Sequence, residues 1–135
     1  MEVEVKYLKH YSFILFPNNS ERGITEENYG WNPNVDILRV KGGVYIIMEL
    51  AGVERSEIQI ELHNRSLIIR GQRKKFIPEE ECDYYSMEIA DGKFGRRINI
   101  PYNIVVEKIK VGIENGILKI FVPKALEISK RIEIE

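Results

Sequence analysis

Cysteine is almost missing from this chain. Cys82 is the only one, so no internal disulfide can form, a pattern that suits a reducing compartment. An excess of charge is missing too. Twenty Lys and Arg face 21 Asp and Glu, a formal net of -1, whereas a phosphate-binding surface needs a clustered positive surplus. No nucleic-acid partner is expected. No apolar run approaches the roughly 18 residues of a membrane span. The stretch FILF at 13–16 is too short for the apolar core of a secretory signal, and Pro17 ends it. These absences together set the expectation of a soluble, cytoplasmic protein with no membrane span. Chemistry-bearing clusters are also lacking. His10, His63 and Cys82 are too scattered for a metal site or a thiol–imidazole pair. GKFGRR at 92–97 has no phosphate-loop pattern, and Glu79, Glu80 and Glu81 read as solvated loop charge rather than acid–base machinery. No enzyme and no cofactor are expected. Finally, alanine is scarce: 3 Ala stand against 21 Ile and 10 Val. Helices favour Ala and Leu, while β-branched side chains fit a pleated surface. The composition predicts an all-β domain, and 135 residues suffice for one such domain with a real core.

What is present follows that lead. In residues 1–30, YLKHYSFILF carries apolar residues three to four apart and predicts a short helix. PNNSERGITEENYG then reads as a loop. Six of the 13 aromatics (Tyr7, Tyr11, Phe13, Phe16, Tyr29, Trp31) fall in the first 31 residues. From Trp31 the pattern changes. Strands are predicted over about 35–40 and in GGVYIIMEL, with a glycine turn between them. IQIEL alternates, placing Ile58, Ile60 and Leu62 on one face. HNRS is a tight turn, because Asn64 tolerates left-handed geometry. LIIRGQRK is the next strand. Residues 73–83 form a polar excursion, where Pro78 and the glutamates oppose a central strand, and YYSMEI is expected as a short edge strand carried on it. In GKFGRRINIP, the residues Phe94, Arg96, Ile98 and Ile100 share one face. IKVGI, the turn ENG and ILKIFVPK form a closing hairpin, and ALEISKRIEIE is a tail. Seven to nine short strands at this spacing predict a β-sandwich.

VGIENGILKIFVPK resembles the closing hairpin of the alpha-crystallin domain of small heat shock proteins, a pattern A-x-x-x-N-G-x-L followed by a strand ending in P-K. Asn115, Gly116, Leu118, Pro123 and Lys124 match, while Val111 replaces the alanine. NPNVDILRVKGGVYIIMELAGV resembles the family's opening strands, with Ala51 in place of its proline, which predicts a less rigid turn after Leu50. SLIIRGQRK resembles L-x-I-x-G-x-R, and GKFGRRINIP resembles G-x-F-x-R-x-x-x-L-P with Ile100 for leucine. IEI at 132–134 matches a C-terminal I-x-I signature. Each motif is weak alone; five in order, with the right spacing, are specific.

The resemblance implies an immunoglobulin-like β-sandwich over 31–124, an N-terminal arm over 1–30 and an extended tail over 125–135. It implies an ATP-independent chaperone that holds partly unfolded proteins and prevents their aggregation. The expected partners are further copies of the chain, as a homodimer assembling to a larger oligomer, and non-native client proteins. The excursion is expected to exchange between subunits, setting Tyr84, Tyr85, Ser86 and Met87 against the partner's Val35, Asp36, Ile37 and Leu38. An unpaired sheet edge is a liability that a donated strand removes. Ile132 and Ile134, two apart in the tail, are expected to enter a groove of another subunit whose walls are Ile58, Ile60, Leu62, Ile109, Val111 and Ile113. A final strand folded onto the chain's own sandwich is the alternative. Arg96 aligns with a family arginine at the dimer region and, partly covered, calls for a carboxylate partner. Tyr7, Tyr11, Phe13, Ile14, Leu15 and Phe16 are the client-binding candidates, and they could equally pack as a helix on the core. The rival reading is a CS-domain-like co-chaperone adaptor of a folding machine. That family shares the sandwich but lacks the excursion strand and the I-x-I tail.

Overall fold

The computed structural model describes the backbone of residues 20–22, then residues 30–125 and 132–134. The helix expected near 7–15 lies outside the described residues.

Eight strands are described: β1 (Ser20–Arg22), β2 (Val35–Val40), β3 (Gly43–Glu49), β4 (Ile58–His63), β5 (Ser66–Arg73), β6 (Gly92–Asn99), β7 (Lys110–Glu114) and β8 (Ile117–Pro123). They form two four-stranded sheets with orders β1-β6-β5-β4 and β2-β3-β8-β7, and every pairing is antiparallel. The fold is the expected all-β sandwich. One expectation is corrected. Residues 17–30 are not all loop, because Ser20–Arg22 pairs with Ile98, Arg97 and Arg96 of β6.

Alternation along each strand builds the core. Val44, Ile46 and Met48 of β3 point inward, as do Ile58, Ile60 and Leu62 of β4 and Leu118, Ile120 and Val122 of β8. A strand's side chains alternate between faces, so one register buries all of these together. Turn chemistry sets that register. His63 pairs with Ser66 across the two-residue turn Asn64-Arg65, and both turn residues have positive φ, 45° and 55°. Asn115 and Gly116 repeat this geometry between β7 and β8, at 51° and 77°. Such turns match the twist of the flanking strands. Gly116 is also sterically required, since a Cβ there would lie 2.8 Å from Ala51 Cα.

The turn at Ala51, where the expectation was reduced rigidity, is bonded from three sides. Leu50 N–H donates to Gly116 O at 2.7 Å, Val53 N–H donates to Leu50 O at 3.0 Å, and Arg73 Nη1 donates to Ala51 O at 3.1 Å. This contact carries the start of β4 to the end of β7. Val53 and Arg55, which lead into β4, share a depression with Ile113 and Glu114 of β7, so the two edge strands approach each other on that side of the sandwich.

Candidate functional site

Three features stand out at the surface of the described residues: an open edge, an exposed excursion and exposed residues of the tail. The edge is β2, the outermost strand of its sheet. Val35 and Ile37 pack partly against the core, while Asp36, Leu38 and Val40 are exposed. Leu38 lies opposite Tyr45, which in turn lies opposite Phe121; the two rings sit 4.6 Å apart.

The excursion spans residues 74–91, between the last β5–β6 pair, Arg73 with Gly92. Its neck is fastened. Arg73 lies 3.6 Å from the centre of the Trp31 ring. Its Nε donates to Ala90 O at 2.9 Å, and Nη2 donates to the same oxygen. Lys75 Nζ reaches Asp91 Oδ1 at 3.5 Å and lies 5.2 Å from the Tyr84 ring centre. Just outside the neck, the Gln72 amide and the Lys74 ammonium hold the Glu57 carboxyl below its usual pKa. Beyond the neck the excursion is bare: Phe76, Ile77, Tyr84, Tyr85, Met87 and Ile89 are all exposed. Tyr85, Met87 and Ile89 alternate with Ser86 and Glu88, a strand pattern. Yet the strand expected at YYSMEI does not form among the described residues, where 84–89 join no ladder. A strand exists through its ladder, and among the described residues this segment joins none of the edge strands β1, β2, β4 and β7.

Ile132 and Ile134 are 86% and 98% exposed. They do not fold onto the chain's own sandwich. The residues expected to receive such a motif are brought together at the side where β4 and β7 are both sheet edges. Ile60 and Leu62 are closed within the core. Ile58, Val111 and Ile113 keep 6–7% exposure, and Ile109 is half-buried, so these four mark the seam between the sheets. A depression lined by Gly52, Val53, Arg55, Ile113, Glu114, Asn115 and Gly116 lies at one end of that seam.

Arg96 departs from the sequence expectation. It is wholly buried rather than partly covered, with 2% exposure. Its Nη1 donates to the Pro33 carbonyl at 2.5 Å, 63 residues away, so a backbone oxygen shares in satisfying the charge. No sequence signal marks a carbonyl as partner. Arg73 was missed as well: it looked like one more basic residue, and only the fold sets it on Trp31. The client-binding candidates Tyr7, Tyr11, Phe13, Ile14, Leu15 and Phe16 lie outside the described residues. Among the described residues no group of three or more His, Cys, Asp or Glu is placed to hold a metal ion. None of their helices is long and apolar enough to cross a membrane.

A sequence profile of the Hsp20/alpha crystallin family matches residues 36–135. The chain belongs to the Hsp20/alpha crystallin family. It is similar to small heat shock protein C2 of Rickettsia felis, with 36% identity over 83% of this chain and 70% of that protein. It is also similar to a 16.9 kDa class I heat shock protein of Oryza sativa, with 37% identity over 57% of this chain. The aligned part spans about half of the rice protein, 52%. Among solved structures, a small heat-shock protein from Xylella fastidiosa superposes with a TM-score of 0.68 at 26% identity, covering 79% of this chain and 99% of that one. Heat shock protein 16.0 from Schizosaccharomyces pombe gives 0.61 at 27% identity, covering 76% and 97%. The sandwich is thus an alpha-crystallin domain, and a chaperone role of the small heat shock type follows from the family.

Proposed function

We propose that this Hsp20-family chain is an ATP-independent holdase of the cytoplasm, not an enzyme, and that it works from a dissociable homo-oligomer of strand-exchanged dimers. The observation that carries the reading is the exposed apolar pattern: Tyr85, Met87 and Ile89 on an excursion without a ladder, together with Ile132 and Ile134 held off the sandwich. Such groups leave water when another copy supplies the missing edge. In this reading residues 84–87 pair with the partner's β2 at Val35–Leu38. The tail seats its isoleucines at the seam marked by Ile58, Ile109, Val111 and Ile113. Residues 1–30 form the arm that holds clients, residues 31–124 the domain, and residues 125–135 the tail.

The energetics suit a reservoir. Burying two isoleucines yields roughly 3–6 kcal/mol gross, and ordering the tail and associating offset much of it. One tail contact is weak. Many in a closed assembly reinforce one another through effective concentration. From Lys124 to Ile132 the chain spans up to roughly 26–28 Å when extended, which reaches a neighbouring subunit.

The test is solution mass by light scattering for the intact chain and for Ile132→Ala/Ile134→Ala, with suppression of client aggregation measured without ATP. A large assembly that falls to dimers in the double variant is the expected result. A monomeric intact chain would sink the assembly mechanism and bring the co-chaperone adaptor reading forward.

A further inference from the structure

Tail docking by itself leaves open which way the tail runs, since Ile132 and Ile134 are related by near-symmetry about Glu133. We propose that the tail of one subunit adds to the free edge of another subunit's β7 in the antiparallel sense. Ile132 then lies beside Ile113 and Ile134 beside Val111. Arg131 faces Glu114, and Glu135 faces Lys110. This rests on the docking proposed above.

The edge strand β7 reads Lys110-Val111-Gly112-Ile113-Glu114. Val111 and Ile113 turn toward the seam. Lys110 and Glu114 are exposed on the opposite face, and Gly112 between them carries no side chain. The tail alternates in the same way: Arg131, Glu133 and Glu135 flank the two isoleucines. Laid antiparallel, both charged positions at the ends meet opposite charges. Laid parallel, Arg131 meets Lys110 and Glu135 meets Glu114, so both meet like charges. Directly opposed cross-strand charges stabilise when opposite in sign and destabilise when alike.

The centre does not vote. Glu133 faces Gly112 in either sense, which leaves room for its carboxylate. The other rim adds Arg55, which shares a depression with Glu114 and tempers the contrast at that end, so the Lys110 end decides the sense; Arg131 against Lys110 is the pair that parallel docking cannot avoid. On β4 the outward carboxylate is Glu61, at mid-strand, bonded to His63 at 3.0 Å and 3.8 Å from Arg70; it meets the tail's centre whichever way the tail runs. A slip of two residues toward Ile109 keeps the antiparallel preference, because Glu133 then faces Lys110 and Glu135 faces Lys108. The sense of docking is therefore set by charges on β7, while the isoleucines supply the burial.

The experiment exchanges the two charges on β7 in the full chain, Lys110→Glu/Glu114→Lys, and reads assembly mass and subunit-exchange rate. Antiparallel docking predicts a smaller or faster-exchanging assembly, with exchange accelerated by about tenfold from two pairs reversed in sign. Adding Arg131→Glu/Glu135→Lys to the same chain should restore mass and rate, which also shows that the exchanged chain folds. Parallel docking predicts the opposite sign: the β7 exchange alone tightens the assembly. That result, or no change, overturns the proposal. Ile132→Ala/Ile134→Ala measured alongside separates the two levels. If it shrinks the assembly while the charge exchange has no effect or tightens it, docking stands and the sense is wrong. If it changes nothing, docking itself fails and the sense with it.

Discussion

Arg73 joins three segments that are distant in sequence, and Arg73→Lys should release them together. The guanidinium lies 3.6 Å from the Trp31 ring centre, and its donors reach Ala90 O and Ala51 O. Lysine keeps the positive charge but has a single nitrogen, so it cannot hold the ring and both carbonyls at once. Each hydrogen bond contributes roughly 0.5–1.5 kcal/mol net, and an exposed cation–π contact about 0.5–1 kcal/mol. Losing one or two of these places the expected loss at about 1–2 kcal/mol. Trp31 is the only tryptophan, so its fluorescence reports the site of the change directly. The assay is urea unfolding followed by that fluorescence, at one fixed subunit concentration, because self-association shifts apparent stability. The expected result is a lower midpoint with an altered native emission spectrum, and dimers that dissociate at higher concentration because the excursion's neck has loosened. An unchanged midpoint and spectrum would mean that Arg73 merely rests on the surface, and the account of the neck would be wrong.

Met87→Pro should leave the sandwich intact, since residues 84–89 join no ladder among the described residues. It should cost the dimer its exchanged strand, because proline lacks the ladder N–H; dimers persisting at the wild-type dissociation constant would refute strand exchange at this position. Gly71→Ala puts a methyl 2.4 Å from Glu57 O and 2.6 Å from Phe94 Cζ, so thermal unfolding should show a loss of about 1–3 kcal/mol, and an unaltered midpoint would contradict the tight approach of β5 to the Phe94 ring. Tyr102 is half-buried and donates to Val122 O at 2.5 Å, and burial pushes its phenol up to about 12. A pKa raised in the folded state gives stability that is present below about pH 10 and lost as pH rises toward 12; Tyr102→Phe should flatten the stability profile in that window, and an identical slope in both proteins would reject the assignment.

Much of the sandwich was legible because two local rules agree over most of the chain. Alternation in IQIEL and IKVGI states which side chains share a face, and Asn64 or Asn115-Gly116 states where the chain must reverse. These rules act between near neighbours, so composition and spacing carry them. The tail isoleucines were legible for the same reason: two residues apart, they share a face in any extended chain. The three-residue β1 was hidden inside a loop composition, because its pairing with β6 is a long-range ladder that leaves no periodic mark on SER.

Other features existed only once the chain had folded. That Arg96 is buried against the Pro33 carbonyl, and that Arg73 lies on Trp31, depends on which distant backbone the packing delivers. Ile60 and Leu62 share their alternation with Ile58, yet they are sealed in the core while Ile58 lies at the seam; exposure depends on position along a closing sandwich, not on residue type. YYSM shows the boundary most clearly. Its alternation and β-prone side chains are written in the sequence. Whether it is a strand is not, because a strand needs a hydrogen-bonding neighbour and no free edge of its own sandwich takes it. Sequence determined the faces and the turns, which are local. Tertiary structure decided which edges stay open, because an open edge is what remains after all other pairings are made.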